Sequence, residues 1–465
     1  MWSTSYYPLD PDALEESMVS SGMVVLLGPE TIDDGNHDPE NINDLATIFE
    51  LLFTSFDLNS MIPNPIFDGP LCEYTIEEIS FDAPDIALEL EEGNLGINLV
   101  IENFKANIYN DGNDIVCILN WKPFHTGPIP ITIEKIDIET HIQVQITHDG
   151  ATADAKDTQV NLQGLDFGAV DPLDWLSAVL KGVLEEVFEE LIKDQVAGLL
   201  GDVFNAFTLN EEFEIPSPIE GADPNALSLV TTPAAIQFDP NFMRIALDGM
   251  AHAQDIKRPH DVLGSIGYAG CGPDDQPLTP PVSPLEIALH DDLLNQILFG
   301  VWDGGTLSLN LTPEDMENID LGDAPLPIDD LTLSLDPLLP IVYNSCGDDG
   351  DRIQIGGMYI DATFSLSVLG EAHVAFWVQA EAAVDFGLSE NDEGVMELGF
   401  QVQELDPLIM EIETNEGLFE GDDAALRSLV KDQLLPELLG SFTGGLGSFP
   451  LPDIDLSQAR DQIPE

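Results

Sequence analysis

Carboxylates, histidines and cysteines are the side chains that could bring chemistry to this sequence, and their numbers are very unequal. The chain has 465 residues, with 87 Asp plus Glu, eight His and four Cys against 13 Lys plus Arg. Acid–base, metal and nucleophilic sites each need particular spacings. No G-x-S-x-G elbow, H-E-x-x-H pair, Walker A loop or G-x-G-x-x-G turn occurs. The histidines are scattered; His141 and His148 share a strand neighbourhood but not a face. Two loops, Asp348-Asp349-Gly350-Asp351 and Asn110-Asp111-Gly112-Asn113-Asp114, supply the oxygens that Ca²⁺ takes, but neither has EF-hand spacing. Hairpin turns are the simpler reading of both. No catalytic residue, metal or cofactor is assigned, and a non-enzymatic protein is expected. Asn310-Leu311-Thr312 is a formal glycosylation sequon.

The cysteines Cys72, Cys117, Cys271 and Cys346 contain no C-x-x-C pair, so zinc spacing is absent. Strand-like segments flank Gly93-Asn94, and a hairpin centred at 94–95 pairs positions whose numbers sum to about 189. Cys72 and Cys117 have that sum, so this register sets them opposite each other; two unrelated thiols are the alternative. Cys271 and Cys346 sit in Gly-bearing loops and suggest a second bridge. Two bridges favour an oxidising compartment, extracellular or periplasmic. The N-terminus is acidic and lacks the cationic start of a secretory leader, so a leader absent from this chain is expected.

The formal charge of −74 removes whole classes of function. Nucleic-acid binding needs clustered cations to neutralise phosphates, and capture on an anionic membrane needs them too. The 44% apolar content argues against a disordered acidic tail. A hydrating, solubilising coat is the favoured reading, with divalent-cation binding as the alternative. No apolar run approaches the ~20 residues that cross a membrane as a helix.

The elements follow from periodicity. Residues 45–62 read as an amphipathic helix with Asp44 as its cap and Pro63 beyond its end. Strands fill 71–168; the clearest, 136–146, alternates Ile136, Ile138, Ile142, Val144 and Ile146 with polar residues. Asp171-Pro172 opens a helix of about 35 residues, roughly 50 Å if unbroken, with one apolar stripe from Leu173 to Phe204. Extended segments follow at 227–238 and 242–253, then a proline-rich connection. A short helix at 291–302, long strands at 353–369, 371–388, 394–404 and 407–413, and a helix at 423–439 complete the second half. The order helix, strands, helix thus occurs twice.

That order resembles the family of bactericidal/permeability-increasing protein, lipopolysaccharide-binding protein and the plasma lipid transfer proteins, the tubular lipid-binding proteins. The stretches that carry it are 45–63 with 74–81, 86–90 and 96–108, then 171–207, 227–238 with 243–251, 285–311, and Leu434-Leu435-Pro436-Glu437 followed by Gly447-Ser448-Phe449-Pro450-Leu451-Pro452. The resemblance implies an α+β fold: two elongated barrels of highly curved antiparallel sheet, wrapped around long amphipathic helices and joined by a central sheet in a boomerang. It divides the chain into an N-terminal extension (1–40), a first barrel (41–217), a central sheet and linker (218–284) and a second barrel (285–465). It implies apolar pockets for lipid acyl chains, phospholipid or similar. Helix faces then nominate Leu52, Phe53, Phe56, Val179, Leu180, Val183 and Val187 in the first half. In the second half they nominate Leu294, Ile297, Leu298, Leu434, Leu435 and Leu438.

Two departures limit the resemblance. The hairpin tips Gly93-Asn94 and Asp149-Gly150 carry no cationic cluster, so lipopolysaccharide capture by a basic tip is not expected. The long helix carries no cysteine, so the family's strand-to-helix disulfide is not available. Two functions therefore compete. One is lipid binding, with transfer and transient membrane contact as extensions. The other is a structural or adhesive surface protein with closed cores and a cation-binding exterior.

Overall fold

The computed structural model describes residues 4–7, 9, 14–39, 42–55, 62, 64–68, 73–110, 128–147, 150–168, 174–192, 196–205, 207–215, 224–258, 261–268, 281–313, 328–347, 350–366, 370–390, 396–431 and 448–450. The chain opens with β1 (Thr4–Tyr7), α1 (Leu14–Ser17), β2 (Val19–Leu27), α2 (Pro29–Ile32) and α3 (Leu45–Ser55). Strands β3 (Phe67–Asp68), β4 (Glu73–Ser80), β5 (Asp85–Glu91), β6 (Asn94–Asn110), β7 (Ile129–Thr147) and β8 (Gly150–Gln163) form the first sheet. Helices α4 (Asp174–Leu191) and α5 (Ala197–Asn205) follow, then β9 (Leu209–Ile215), β10 (Asn225–Asp239), β11 (Phe242–Ala253), β12 (Ser265–Tyr268) and β13 (Leu285–Leu289). Helix α6 (Asp291–Asp303) precedes β14 (Leu309–Leu311), β15 (Ile328–Pro337), β16 (Val342–Gly347), β17 (Gly350–Leu366), β18 (Gly370–Glu390) and β19 (Met396–Gly417). Helix α7 (Asp423–Leu429) and β20 (Ser448–Pro450) complete the described elements.

The protein is mostly β-sheet, with few helices, and includes a half-barrel sheet. The first sheet runs β3-β4-β6-β7-β8, with β5 also on β6. The central sheet runs β13-β2-β11-β10-β9, and a seven-stranded sheet runs β14-β15-β17-β18-β19-β20 with β16 on β17. A two-stranded ribbon, β1-β12, stands apart. Every pairing among the described strands is antiparallel, so alternation decides which face is buried. In β7 the expected stripe holds: Ile136, Ile138 and Ile142 are fully buried, as is Thr140 between them. Ser21, Glu78, Asp157 and Asp330 take positive φ of 50–59° beside slips in the ladders. Such bulges bend a strand and raise its twist, which curves the sheet.

The structure corrects three expectations. The first hairpin turns at Glu92-Gly93, with Glu91 opposite Asn94 and Gly93 at φ +83°. Its partners sum to 185 near the turn and 184 beyond the bulge at Glu78, not 189. The arithmetic that set Cys72 opposite Cys117 therefore fails within the described hairpin. Cys72, Cys117 and Cys271 lie outside the described residues; Cys346 falls in β16, and its side chain lies outside them. Second, the segment 1–40 is no mere extension. Its β2 sits inside the central sheet between β11 and β13, and Val25 is fully buried. Third, the expected strands 394–404 and 407–413 are one strand, β19. Of the expected 35-residue helix, α4 and α5 are the described parts, with π-type turns at Ile192 and Val196; residues 193–195 lie outside the described residues.

Candidate functional site

In the first half, helices pack near both edges of one sheet. Asp44 caps α3: its Oδ1 accepts the Thr47 N–H at 2.7 Å, and its Oδ2 accepts the Asp34 N–H at 3.1 Å. Leu45, Ile48, Phe49 and Phe53 then recur on one face and are all buried. That face packs on β5. At the other edge, α4 and α5 pack on β8. Leu184, Val187, Phe188 and Leu191 point inward, while Lys181, Glu186, Glu189 and Glu190 remain exposed. Asn205 fastens the end of α5 to β8: Ala151 N–H donates to its Oδ1 at 2.7 Å, and its amide returns a bond to the Ala151 carbonyl at 3.2 Å.

Helix α6 occupies a different place. It packs on β11, β12, β2, β16 and β10, so it joins the central sheet to the second-half sheet. Its polar side chains are buried yet paired. Asn295 Nδ2 donates to the Tyr343 carbonyl at 3.0 Å, and Tyr343 N–H donates to Asn295 Oδ1 at 2.7 Å. Gln296 donates to the Ser17 carbonyl and accepts from the Ala251 N–H. Trp302 Nε1 donates to the Pro337 carbonyl at 2.6 Å. At the first turn, Tyr7 donates to Asp292 at 3.1 Å. Burial, then the Asp292 carboxylate, push the Tyr7 phenol up to about 12.

The nominated residues distribute as follows. Phe53 and Val187 are buried and Val183 is half-buried in the first half. Leu52 belongs to α3, and Val179 and Leu180 to α4, but their side chains lie outside the described residues, as does Phe56 entirely. Ile297 and Leu298 are buried and Leu294 half-buried on α6. Leu434, Leu435 and Leu438 lie outside the described residues. In the second half, Leu426 and Val430 on and after α7 are buried and join the apolar interior. One buried apolar cluster includes side chains from all three large sheets and from α3 to α7.

Periodicity missed a polar feature beside α3. His37, Asp33 and Glu50 come together where the loop after α2 meets α3 and β5. An Asp-rich loop ahead of a capped helix with an inward Glu is the signal that could have marked it. Both Asp33 oxygens and Glu50 Oε1 accept backbone N–H bonds, which makes the group a hydrogen-bonded clasp.

No family model matches the chain, and no curated protein matches it. Among solved structures it is similar to lipopolysaccharide binding protein, at 13% identity over 93% of each chain and a TM-score of 0.40. It is similar to P47 from Clostridium botulinum A2 at 10% identity, covering 93% of this chain and 89% of that one, with a TM-score of 0.30. Latherin matches 36% of this chain and 72% of its own at 10% identity and a TM-score of 0.16. These scores carry no weight for function, so the functional reading rests on this chain's own residues.

Proposed function

We propose that the chain binds lipid through its acyl chains, inside the apolar interior between the sheets and their helices. The continuity of that interior supports the reading. A single cluster links the inward stripe of α3, the inward stripe of α4 and α5, and the buried face of the seven-stranded sheet. Removing apolar surface from water is worth about 25 cal/mol per Å², so acyl chains buried there need no charged partner. The protein acts without catalysis, as a carrier or shuttle of phospholipid or a similar lipid, in an extracellular or periplasmic setting. Each half holds acyl chains in its own barrel, and the two barrels share this continuous apolar interior. A cationic grip on lipopolysaccharide is not part of this function, because 13 cations stand against 87 carboxylates.

Native mass spectrometry and organic extraction of the purified full chain test the proposal, together with uptake of a fluorescent phospholipid. Co-purified lipid, or saturable uptake, is the expected result. Protein that carries no lipid and takes up none sinks it. If chelator also lowers the melting temperature, the cation-binding surface protein takes its place.

A further inference from the structure

The His37 clasp has a geometry that suits a doubly protonated ring between two ionised carboxylates. Nδ1 lies 2.7 Å from Glu50 Oε1, and Nε2 lies 3.2 Å from Asp33 Oδ1. Both partners are carboxylate oxygens, so both ring nitrogens must donate, and the ring is an imidazolium. The carboxylates are themselves anchored. Leu88 N–H donates to Asp33 Oδ2 at 2.9 Å, and Ile86 N–H donates to Glu50 Oε1 at 3.3 Å. Glu50 is on α3, Leu88 and Ile86 are on β5, and Asp33 and His37 are on the loop after α2. The charged ring therefore joins the loop to α3, and the two carboxylates it bridges accept the β5 amides.

Among the described residues, the charged groups that face the ring are carboxylates. Asp33 and Asp34 approach from the loop, Asp44 from the start of α3, Glu50 from α3 and Asp85 from β5. Without its proton the ring offers a lone pair to one of two carboxylates, and at least one contact turns repulsive. Burial opposes the charge on His37, but the hydrogen bonds to Glu50 and Asp33 outweigh it and hold the imidazole above its ordinary value.

We propose that Asp33, His37 and Glu50 form a protonation latch that holds α3 against β5, and that loss of the His37 proton releases this edge of the first apolar interior. Because the folded-state value is raised, the latch is fully present below about pH 6.5, until the carboxylates protonate, and is lost as pH rises through the raised value. The further role of the latch, admitting lipid beside Phe49 and Phe53, rests on the lipid-binding reading.

The latch is tested on the full chain, first by NMR titration of its histidine rings. His37 is expected to titrate above a free imidazole, and a midpoint at or below that of a free imidazole overturns the latch. Hydrogen exchange at the Ile86 and Leu88 amides, corrected for intrinsic rate, is expected to accelerate at least tenfold from about pH 6 to about pH 9. H37Q is expected to exchange at the fast rate at both values. H37Q exchange equal to wild type at the lower pH overturns the latch. E50Q provides a second variant that keeps the ring, and its His37 midpoint is expected to fall toward the ordinary value; an unmoved midpoint also counts against the latch. Uptake of fluorescent phosphatidylcholine from neutral vesicles forms a separate arm. Faster uptake at the higher pH supports the gate, and equal uptake at both values refutes it. No uptake at either value, with the exchange result intact, removes the lipid reading and leaves the latch standing.

Discussion

Replacing Gly300 by alanine sets two effects against each other. Alanine favours a helix over glycine by about 1 kcal/mol, so propensity alone predicts a gain. Packing predicts a loss. A Cβ at Gly300 lies 2.9 Å from Cδ2 of Leu227 and 3.1 Å from the backbone nitrogen of Ala253. Leu227 is 0% exposed, so its side chain has no free space to enter. Leu227 and Ala253 face each other across the β10–β11 ladder, so the backbone atom is held as well. Overpacking of this kind costs about 1–3 kcal/mol, and with propensity set against it a net loss of up to about 2 kcal/mol is expected. Gly182 on α4 is the control: it is exposed, and nothing lies within 4 Å of its Cβ position. G182A is expected to stabilise by up to about 1 kcal/mol. Urea denaturation of both full-length variants reads the two signs. If G300A gains stability as G182A does, α6 is not seated on the β10–β11 hairpin at this distance, and the reasoning fails.

Three further outcomes are expected. N295A removes the side chain that bonds both the Tyr343 N–H and the Tyr343 carbonyl, and is expected to cost about 1–3 kcal/mol in urea denaturation; a cost near zero would mean that α6 and β16 are not joined there. D44A removes the cap of α3 and the bond to Asp34, and is expected to lower stability by about 1–2 kcal/mol, with faster amide exchange at Thr47 as the local readout. Tyr7 stays protonated up to about 12, so it stabilises the fold below its unfolded value near 10 and this contribution is lost as pH rises through about 12. Ultraviolet titration of wild type against Y7F isolates this ring, and an ordinary midpoint for Tyr7 contradicts the contact with Asp292.

Local signals carried part of this structure. The cap at Asp44, the stripe Leu45–Ile48–Phe49 and the alternation in β7 depend on neighbours within a few residues, and each is visible in sequence. The extended segments 227–238 and 242–253 were legible too; the structure pairs them as β10 and β11, with Asp239 opposite Phe242 at the tip. Long-range partnerships were not visible. The strand β2 pairs with residues more than two hundred positions away; its apolar run Met23–Leu27 is visible, but nothing local identifies the strands that flank it. Asn295 and Gln296 look like surface residues of a helix, and only the backbone groups of Tyr343, Ser17 and Ala251 explain their burial. Hairpin register was lost for a different reason. The turn moved to Glu92-Gly93 and a bulge at Glu78 shifted the count again, and each slip changes every opposite pair beyond it. The His37 clasp escaped because its members come from a loop and a helix whose approach the sequence does not specify.

The scarcity of cations explains what kind of recognition remains. Arg258 is spent at the α6–β15 junction: its guanidinium is 2.6 Å from Asp336, donates to Ser308, and lies 5.0 Å from the ring centre of Trp302. Arg352 donates to the Asp406 carbonyl and faces Glu381, tying β17 to β18 and β19. Arg427 donates to the Met410 carbonyl, tying α7 to β19. These guanidinium groups therefore hold elements together. A lipid phosphate approaching the acidic exterior meets net repulsion of the whole surface, which salt screens over about 8–10 Å. On the proposed reading, discrimination comes from the acyl chains, and the head group stays in water. Binding should then follow chain length, weaken as the head group gains negative charge at low salt, and lose that charge dependence at high salt. A preference for anionic lipid that weakens with added salt would require a cationic contact, and the acyl-chain reading would have to be abandoned.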